Sequence, residues 1–450
     1  MKKTIIILIE KLGIKSDRTK NISKHVLLSF FYKGGSILAS FLLVPLTINY
    51  LDTENYGIWL TLSSFITWFA FFDVGLGNGL RNKFAIAKAK GDDKLARAYV
   101  SSAYFTVGSF SLFFIFLFFI VNFFVDWTNF FNSSVSLKKD LAMLMPIVFG
   151  FFCIQLVVKL ITTIYTADQQ HSKQGEVQFF INLISLFAIW LMTKSEQGSL
   201  LYFGIVFSGL PVFILILVNF VGFNKRYKDY RPTFYLWKKK YLKDIFGLGF
   251  KFFLIQLAGM VLFSTDNLIL TQLYGPEEVV PYNISFKYFS ISNMILTIIL
   301  TPYWSSITEA YTNNDFIWIK KSINNLVKIS IGSFFLLIIM TLIAQFVYEI
   351  WIGEKVIIPH RLNVFMAIFF ALTIFHGPFT FFINGTGKIK LQLYSLIIMA
   401  FINIPLSVFL SRTLELGVSG VIIATIICIL PHVFICPIQY LKIINRKAYG

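Results

Sequence analysis

Runs of about 20 apolar residues with few charges recur from one end of this 450-residue chain to the other, the length at which a helix crosses a hydrocarbon core about 30 Å thick. Such a pattern restricts the fold severely, because lipid offers no partner for a backbone N–H or C=O that a helix leaves unpaired. Hydrophobic runs and their polar breaks place twelve spans, at 26–50, 56–78, 98–126, 140–167, 176–193, 199–222, 245–274, 279–304, 323–350, 361–383, 391–411 and 417–441. Composition agrees: 56% of residues are hydrophobic and 14% charged, against about 45–50% apolar and about 25% charged in a soluble domain. Twelve spans take roughly 240 residues. The rest suffices for ends and connections, which argues against a membrane-anchored transferase with its own catalytic domain. The expected fold class is an all-α integral membrane protein.

Charge placement orients the spans. With the N-terminus inside, 29 of the 40 Lys+Arg fall in cytoplasmic segments, 6 in outer loops when Arg361 at the outer edge of the tenth span is counted with them, and five lysines lie within spans. That bias follows the positive-inside rule and predicts N-in, C-in topology. It also accounts for a formal net charge of +18 without a nucleic-acid partner. The chain divides into a cytoplasmic segment (1–25), a first lobe of six spans (26–222), a basic cytoplasmic loop (223–244), a second lobe of six spans (245–441) and a tail (442–450). Six is even, so both halves enter the membrane in the same orientation, the arithmetic of a transporter built from parallel repeats.

Two cytoplasmic connections concentrate charge: Arg81–Arg97 and Lys225–Asp244. The second, KRYKDYRPTFYLWKKKYLKD, mixes cations with Tyr, Phe and Trp, which suits an anionic headgroup surface. The start, MKKTIIILIEKLG, has too short an apolar run for a signal peptide and no small-residue cleavage site, so a short surface-lying amphipathic helix is expected. Cys153, Cys428 and Cys436 all lie in apolar runs and read as free thiols.

Ionisable residues inside spans are costly and each is a functional hypothesis. Lys33, Lys159 and Lys251 fall at similar depth in the cytoplasmic half of three spans, and Lys287 lies nearer the outer face. Snorkelling to the headgroups is the bland alternative for each, since six to eight residues is only about 9–12 Å of helix. Ser29, Ser36, Ser40 and Thr47 share a helical face with Lys33, so a polar stripe beside a cation is expected to line a wet interior. Asp73, in FFDVGLGNGL, and Asp266, in FSTDNLIL, are candidates for a charge pair or for carrying a coupling ion.

Nine of the twelve prolines fall in or at the edge of spans and favour bent helices. No HExxH, nucleotide-binding GxxxxGK[ST] or zinc-type Cys/His spacing occurs. GLGNGL at 75–80 follows a span and leads into basic residues, unlike a phosphate loop. The expectation is a non-enzyme with no cofactor and no metal site, energised by an ion gradient or by its substrate's own concentration difference.

LVPLTINYLDTENYGIWLTLSSF (43–65) followed by FFDVGLGNGLRNKFA (71–85) resembles the polysaccharide-unit flippases of bacterial surface-glycan pathways, in the multidrug/oligosaccharidyl-lipid/polysaccharide exporter superfamily. The ordered set is a proline, then "YL…YG" joining the first two spans, then the Asp-Val-Gly-Leu-Gly element. The resemblance implies an alternating-access carrier of the bacterial inner membrane. It would flip an undecaprenyl-diphosphate-linked oligosaccharide from the cytoplasmic to the periplasmic leaflet for O-antigen or related lipopolysaccharide biosynthesis. Its partners would be the lipid-linked oligosaccharide, anionic lipid headgroups, and a polysaccharide polymerase with chain-length proteins. Cavity lysines would attract the diphosphate. Multidrug/cation antiporters of the same superfamily typically carry acidic cavity residues, whereas the first span here offers Lys33. Lipid II flippases usually have fourteen spans. A membrane glycan polymerase or ligase needs a large outer loop, and the longest here, Trp127–Lys139, has about 13 residues.

Overall fold

The computed structural model describes residues 17–69, 74–168, 170–194, 198–246 and 265–448. Among these residues every regular element is helical, as a chain that must satisfy its backbone within lipid requires. In chain order the principal helices are α1 (Asp17–Tyr50), α2 (Thr53–Thr67), α3 (Val74–Ala89), α4 (Asp93–Asn122), α5 (Lys138–Val158), α6 (Leu160–Ala167), α7 (His171–Met192) and α8 (Leu200–Asn224). They continue with α9 (Lys239–Phe246), α10 (Asp266–Tyr274), α11 (Val279–Thr312), α12 (Phe316–Ile352), α13 (His360–Thr386), α14 (Lys390–Val408) and α15 (Val418–Ala448). Nine segments among the described residues are long and apolar enough to cross a membrane, which makes this a multi-pass membrane protein. They coincide with the first, third to sixth and ninth to twelfth expected spans. The helix in the second expected span, α2, has 15 residues. Most of the seventh lies outside the described residues, and α11 overlies the eighth.

Local chemistry explains the breaks. Asp92 and Asp315 cap α4 and α12 by accepting from Leu95 N at 2.9 Å and Trp318 N at 3.0 Å, satisfying amides that a first turn leaves unpaired. Gly353 and Gly387 end α12 and α13 with positive φ, a conformation that costs glycine least. The expected span 140–167 is interrupted for one residue, with α5 ending at Val158 and α6 starting at Leu160. Prolines 45, 146, 211, 378, 405, 431 and 437 lie inside helices, and Phe409–Thr413 beyond Pro405 winds as a π-helix.

The described residues group into two compact units, one within Met1–Asp52 and Phe69–Phe253, the other within Thr53–Trp68 and Leu254–Gly450. The sequence places α2 in the first lobe; its packing places it in the second unit, against α10 and α11. In the first unit α1 packs along α7, and α5 packs on α4 and α8. Its core joins Phe84, Val100, Leu160, Tyr227, Tyr230 and Ile245. The inter-lobe segment is therefore partly structural: Tyr227 and Tyr230 are buried, whereas Phe234 and Tyr235 are exposed beside exposed Lys238, Lys239 and Lys240. In the second unit α13 packs on α11, α12 and α15, and α14 covers α15.

Candidate functional site

Two glycines of the quoted motifs permit close backbone approach. A Cβ on Gly57 would stand 1.8 Å from the Pro276 carbonyl oxygen, and one on Gly79 would stand 2.2 Å from that of Ile245. Gly57 thus lets α2 lie against the turn between α10 and α11, and Gly79 seats α3 on α9. GLGNGL lies wholly within α3, and so is no phosphate loop.

The seat of α2 brings polar residues together inside the second unit. Thr61 and Thr271 share a hydroxyl–hydroxyl bond of 2.6 Å. Asn267 Nδ2 donates to Ser64 Oγ at 2.7 Å, and Asn283 Nδ2 donates to Asn267 Oδ1 at 2.8 Å. Tyr282 donates to Asp266 Oδ2, while Asp266 Oδ1 has no hydrogen-bond partner among the described residues. Ser64, Asp266, Asn267, Tyr282 and Asn283 line a cavity of about 220 Å³ with Leu60, Ser63, Thr67 and Phe286. Asp266 is 5% exposed, so a carboxylate that belongs in water stands in a buried pocket with acceptor capacity left over. Such a pocket can hold a cation or a proton. Lys287 lies four residues beyond Asn283, on the same face of α11, and is half-buried.

The other expected site residues are distributed. Lys33 on α1 and Lys159 at the α5–α6 break are exposed in the first unit. Asp73, Lys251 and the side chain of Ser29 lie outside the described residues, as does the expected surface helix at the N-terminus through residue 16. The remaining stripe residues differ from one another. Ser36 accepts from Asn182 of α7 at 2.6 Å, Ser40 donates to Ile37 O at 2.9 Å, and buried Thr47 donates to Leu43 O at 2.7 Å. Ser36 and Asn182 therefore form a polar seam between two packed helices.

One cluster carries no signal in the sequence. Asp168, at the C-terminal end of α6, pairs with Lys88 and accepts from Arg226 Nη2 at 2.9 Å and Tyr227 OH at 3.0 Å. Burial alone would raise its pKa, but the bonds from Lys88, Arg226 and Tyr227 hold it below the usual carboxylate range. The cluster ties the two basic connections to one acid. Tyr230 donates to Asp93, and Arg97 Nε donates to Arg231 O at 2.9 Å, adding to the same latch.

Against known proteins, a family model described as "Polysaccharide biosynthesis protein" matches residues 22–308. A protein of Salmonella typhimurium assigned as an O-antigen transporter is 23% identical over 408 residues, covering 89% of this chain and 91% of its own. One of Yersinia pseudotuberculosis assigned as an O-antigen export protein is 21% identical over 387 residues, covering 84% and 85%. Among solved structures, the inward-facing conformation of a multidrug resistance MATE family transporter of the MOP superfamily matches with a TM-score of 0.75. It is 13% identical and covers 92% of this chain and 95% of that one.

Proposed function

The chain belongs to the polysaccharide biosynthesis protein family, and from that premise we propose that it is a flippase carrying a lipid-linked oligosaccharide from the cytoplasmic to the periplasmic leaflet of a bacterial inner membrane. The substrate class is an undecaprenyl-diphosphate-linked repeat unit for O-antigen or a related surface polysaccharide. A polymerase and chain-length proteins would act on the delivered unit. The observation that carries the reading is similarity, along most of both chains, to relatives assigned as O-antigen transporters. The chemistry of the first unit supports it: Lys33 and Lys159 lie exposed within membrane segments, where a cation is expensive unless it meets water or an anion. A diphosphate is such an anion. A cation antiporter would call for carboxylates there instead.

In this reading twelve spans, N-in and C-in, form two lobes that alternate between inward and outward access. Lys33, Lys159, Lys251 and Lys287 mark the path of the diphosphate, and hydroxyls such as Ser29 and Ser40 accommodate sugar. Asp266 and Asp73 are the acidic candidates for ion coupling. Arg231, Phe234, Tyr235 and Lys238–Lys240 rest on anionic headgroups.

The test replaces Lys33, Lys159 and Lys251 with Ala, singly and together, in a strain that relies on this gene for its surface glycan. Loss of display by the triple variant at normal membrane abundance is expected. Normal display by the triple variant would overturn the cationic path.

A further inference from the structure

Leu60, Ser63, Ser64 and Thr67 of α2 fall on one helical face, and that face lines the cavity of the second unit with residues of α10 and α11. Most polar groups of its wall are already committed to one another. Ser64 Oγ donates to Leu60 O at 3.0 Å and accepts from Asn267 Nδ2 at 2.7 Å. Asn283 Nδ2 divides its hydrogens between Asn267 Oδ1 at 2.8 Å and Val279 O at 2.9 Å. Thr67 Oγ1 donates to Ser63 O at 2.7 Å. Tyr282 donates to Asp266 Oδ2, and the other carboxylate oxygen, Oδ1, is itself buried.

What remains open is neutral. The Ser63 hydroxyl, Asn283 Oδ1 and the lone pairs of Thr67 Oγ1 keep hydrogen-bonding capacity that bonds among the described residues leave unused. Two apolar side chains, Leu60 and Phe286, line the same space. Phe286 is held by Phe369 and Phe370 at ring-centroid distances of 6.2 and 5.2 Å. A cation at this open face lacks the shell of converging oxygens it calls for, because Asp266 Oδ2 and Asn267 Oδ1 are already bonded. Asp266, with its other oxygen buried, keeps a separate place as a coupling candidate. Water alone would satisfy the hydroxyls but leave Leu60 and Phe286 wetted, which is unfavourable in proportion to their apolar area. The volume, about 220 Å³, is many times the about 10–15 Å³ that one water needs and below the about 300–1,000 Å³ of a drug-sized site. It suits one small ring with polar edges.

We propose that this pocket is a sugar subsite that takes one ring of the lipid-linked oligosaccharide. The proposal rests on the transport reading above and adds a place where the glycan, rather than the diphosphate, is recognised. A sugar ring carries hydroxyls at its edge, each able to donate and accept, and C–H groups on its faces. Its hydroxyls donate to Asn283 Oδ1 and to Thr67 Oγ1, whose own hydrogen is spent on Ser63 O, and pair with the Ser63 hydroxyl in either direction. Its C–H face lies on Phe286 and Leu60. Asp266 acts at one remove, positioning Tyr282 in the wall by accepting its hydrogen. A ligand without those hydroxyls leaves the wall's polar groups unpaired, which is the source of selectivity.

The test uses the purified full chain in detergent and compares equilibrium binding of two probes. One is the lipid-linked oligosaccharide extracted from the strain the protein serves, the other undecaprenyl diphosphate bearing no sugar. The wild type is expected to bind the sugar-bearing lipid at least tenfold more tightly. Ser63→Ala combined with Thr67→Val removes two hydroxyls with little change of shape. It should weaken binding of the sugar-bearing lipid at least tenfold while binding of the sugar-free lipid stays within twofold, and Phe286→Leu should do the same. Ser63→Thr, which keeps the hydroxyl, should stay within threefold of wild type for both lipids. Should Phe286→Leu fold poorly, the variants at Ser63 and Thr67 decide. Equal loss for both lipids, or loss for neither, would overturn the subsite. Lectin access in proteoliposomes reads translocation separately, and its absence in the wild type would instead overturn the transport reading.

Discussion

Asp168 gathers donors from positions 58 to 80 residues away, and no local pattern marks it. Its pKa lies below the ordinary value, so its stabilising contribution is present above the unfolded value, about 3.9, and is lost as pH falls through the folded one. Asp168→Asn should cost about 1–3 kcal/mol, with a smaller share from Arg226, whose side chain is 60% exposed and screened by solvent. In detergent, the wild type should lose thermal stability on acidification below about pH 4 more steeply than the variant. Parallel curves would deny Asp168 that role. Asp266 was legible from sequence, because a carboxylate within an apolar run is conspicuous. Its pocket was not, because Ser64 and Asn283 reach it from other helices. Asp266→Asn should reduce glycan export at least tenfold with normal membrane abundance; unchanged export removes Asp266 from coupling.

At the scale of elements, apolar blocks announce helices because the bilayer demands them, but seams between helices depend on individual atoms. The "YG" of the second span illustrates this. Its glycine is legible as a motif, and its reason, the Pro276 carbonyl, lies more than 200 residues away. Gly57→Ala should destabilise the second unit by at least about 1–3 kcal/mol, since backbone overlap has no rotamer to relieve it. Gly150→Ala, where nothing lies within 4 Å, should be tolerated, and thermal melts of the two variants make the comparison. The basic loop shows the opposite limit. Its composition reads as uniformly interfacial, yet Tyr227 and Tyr230 belong to the core and only Phe234, Tyr235 and their lysines remain outside. Replacing Lys238, Lys239 and Lys240 with Gln should weaken binding of anionic lipid at least about tenfold, at about 1 kcal/mol per lysine. Unchanged lipid binding would place this face away from headgroups.

For the molecule as a whole, the sequence reveals a multi-pass helical carrier through span count and charge bias, and the family match and transporter-like fold agree. What it conceals is where non-local packing acts: α2 packs with the second unit, and Asp168 takes its donors from two distant segments. The central claim is that the chain moves a lipid-linked oligosaccharide between leaflets. The direct measurement reconstitutes the purified protein in vesicles with that lipid in the inner leaflet and follows access of an external lectin to the sugar. The account predicts exposure at least tenfold faster than in protein-free vesicles, and slower in the Lys33, Lys159 and Lys251 triple variant. Exposure by the wild type at the protein-free rate would contradict it.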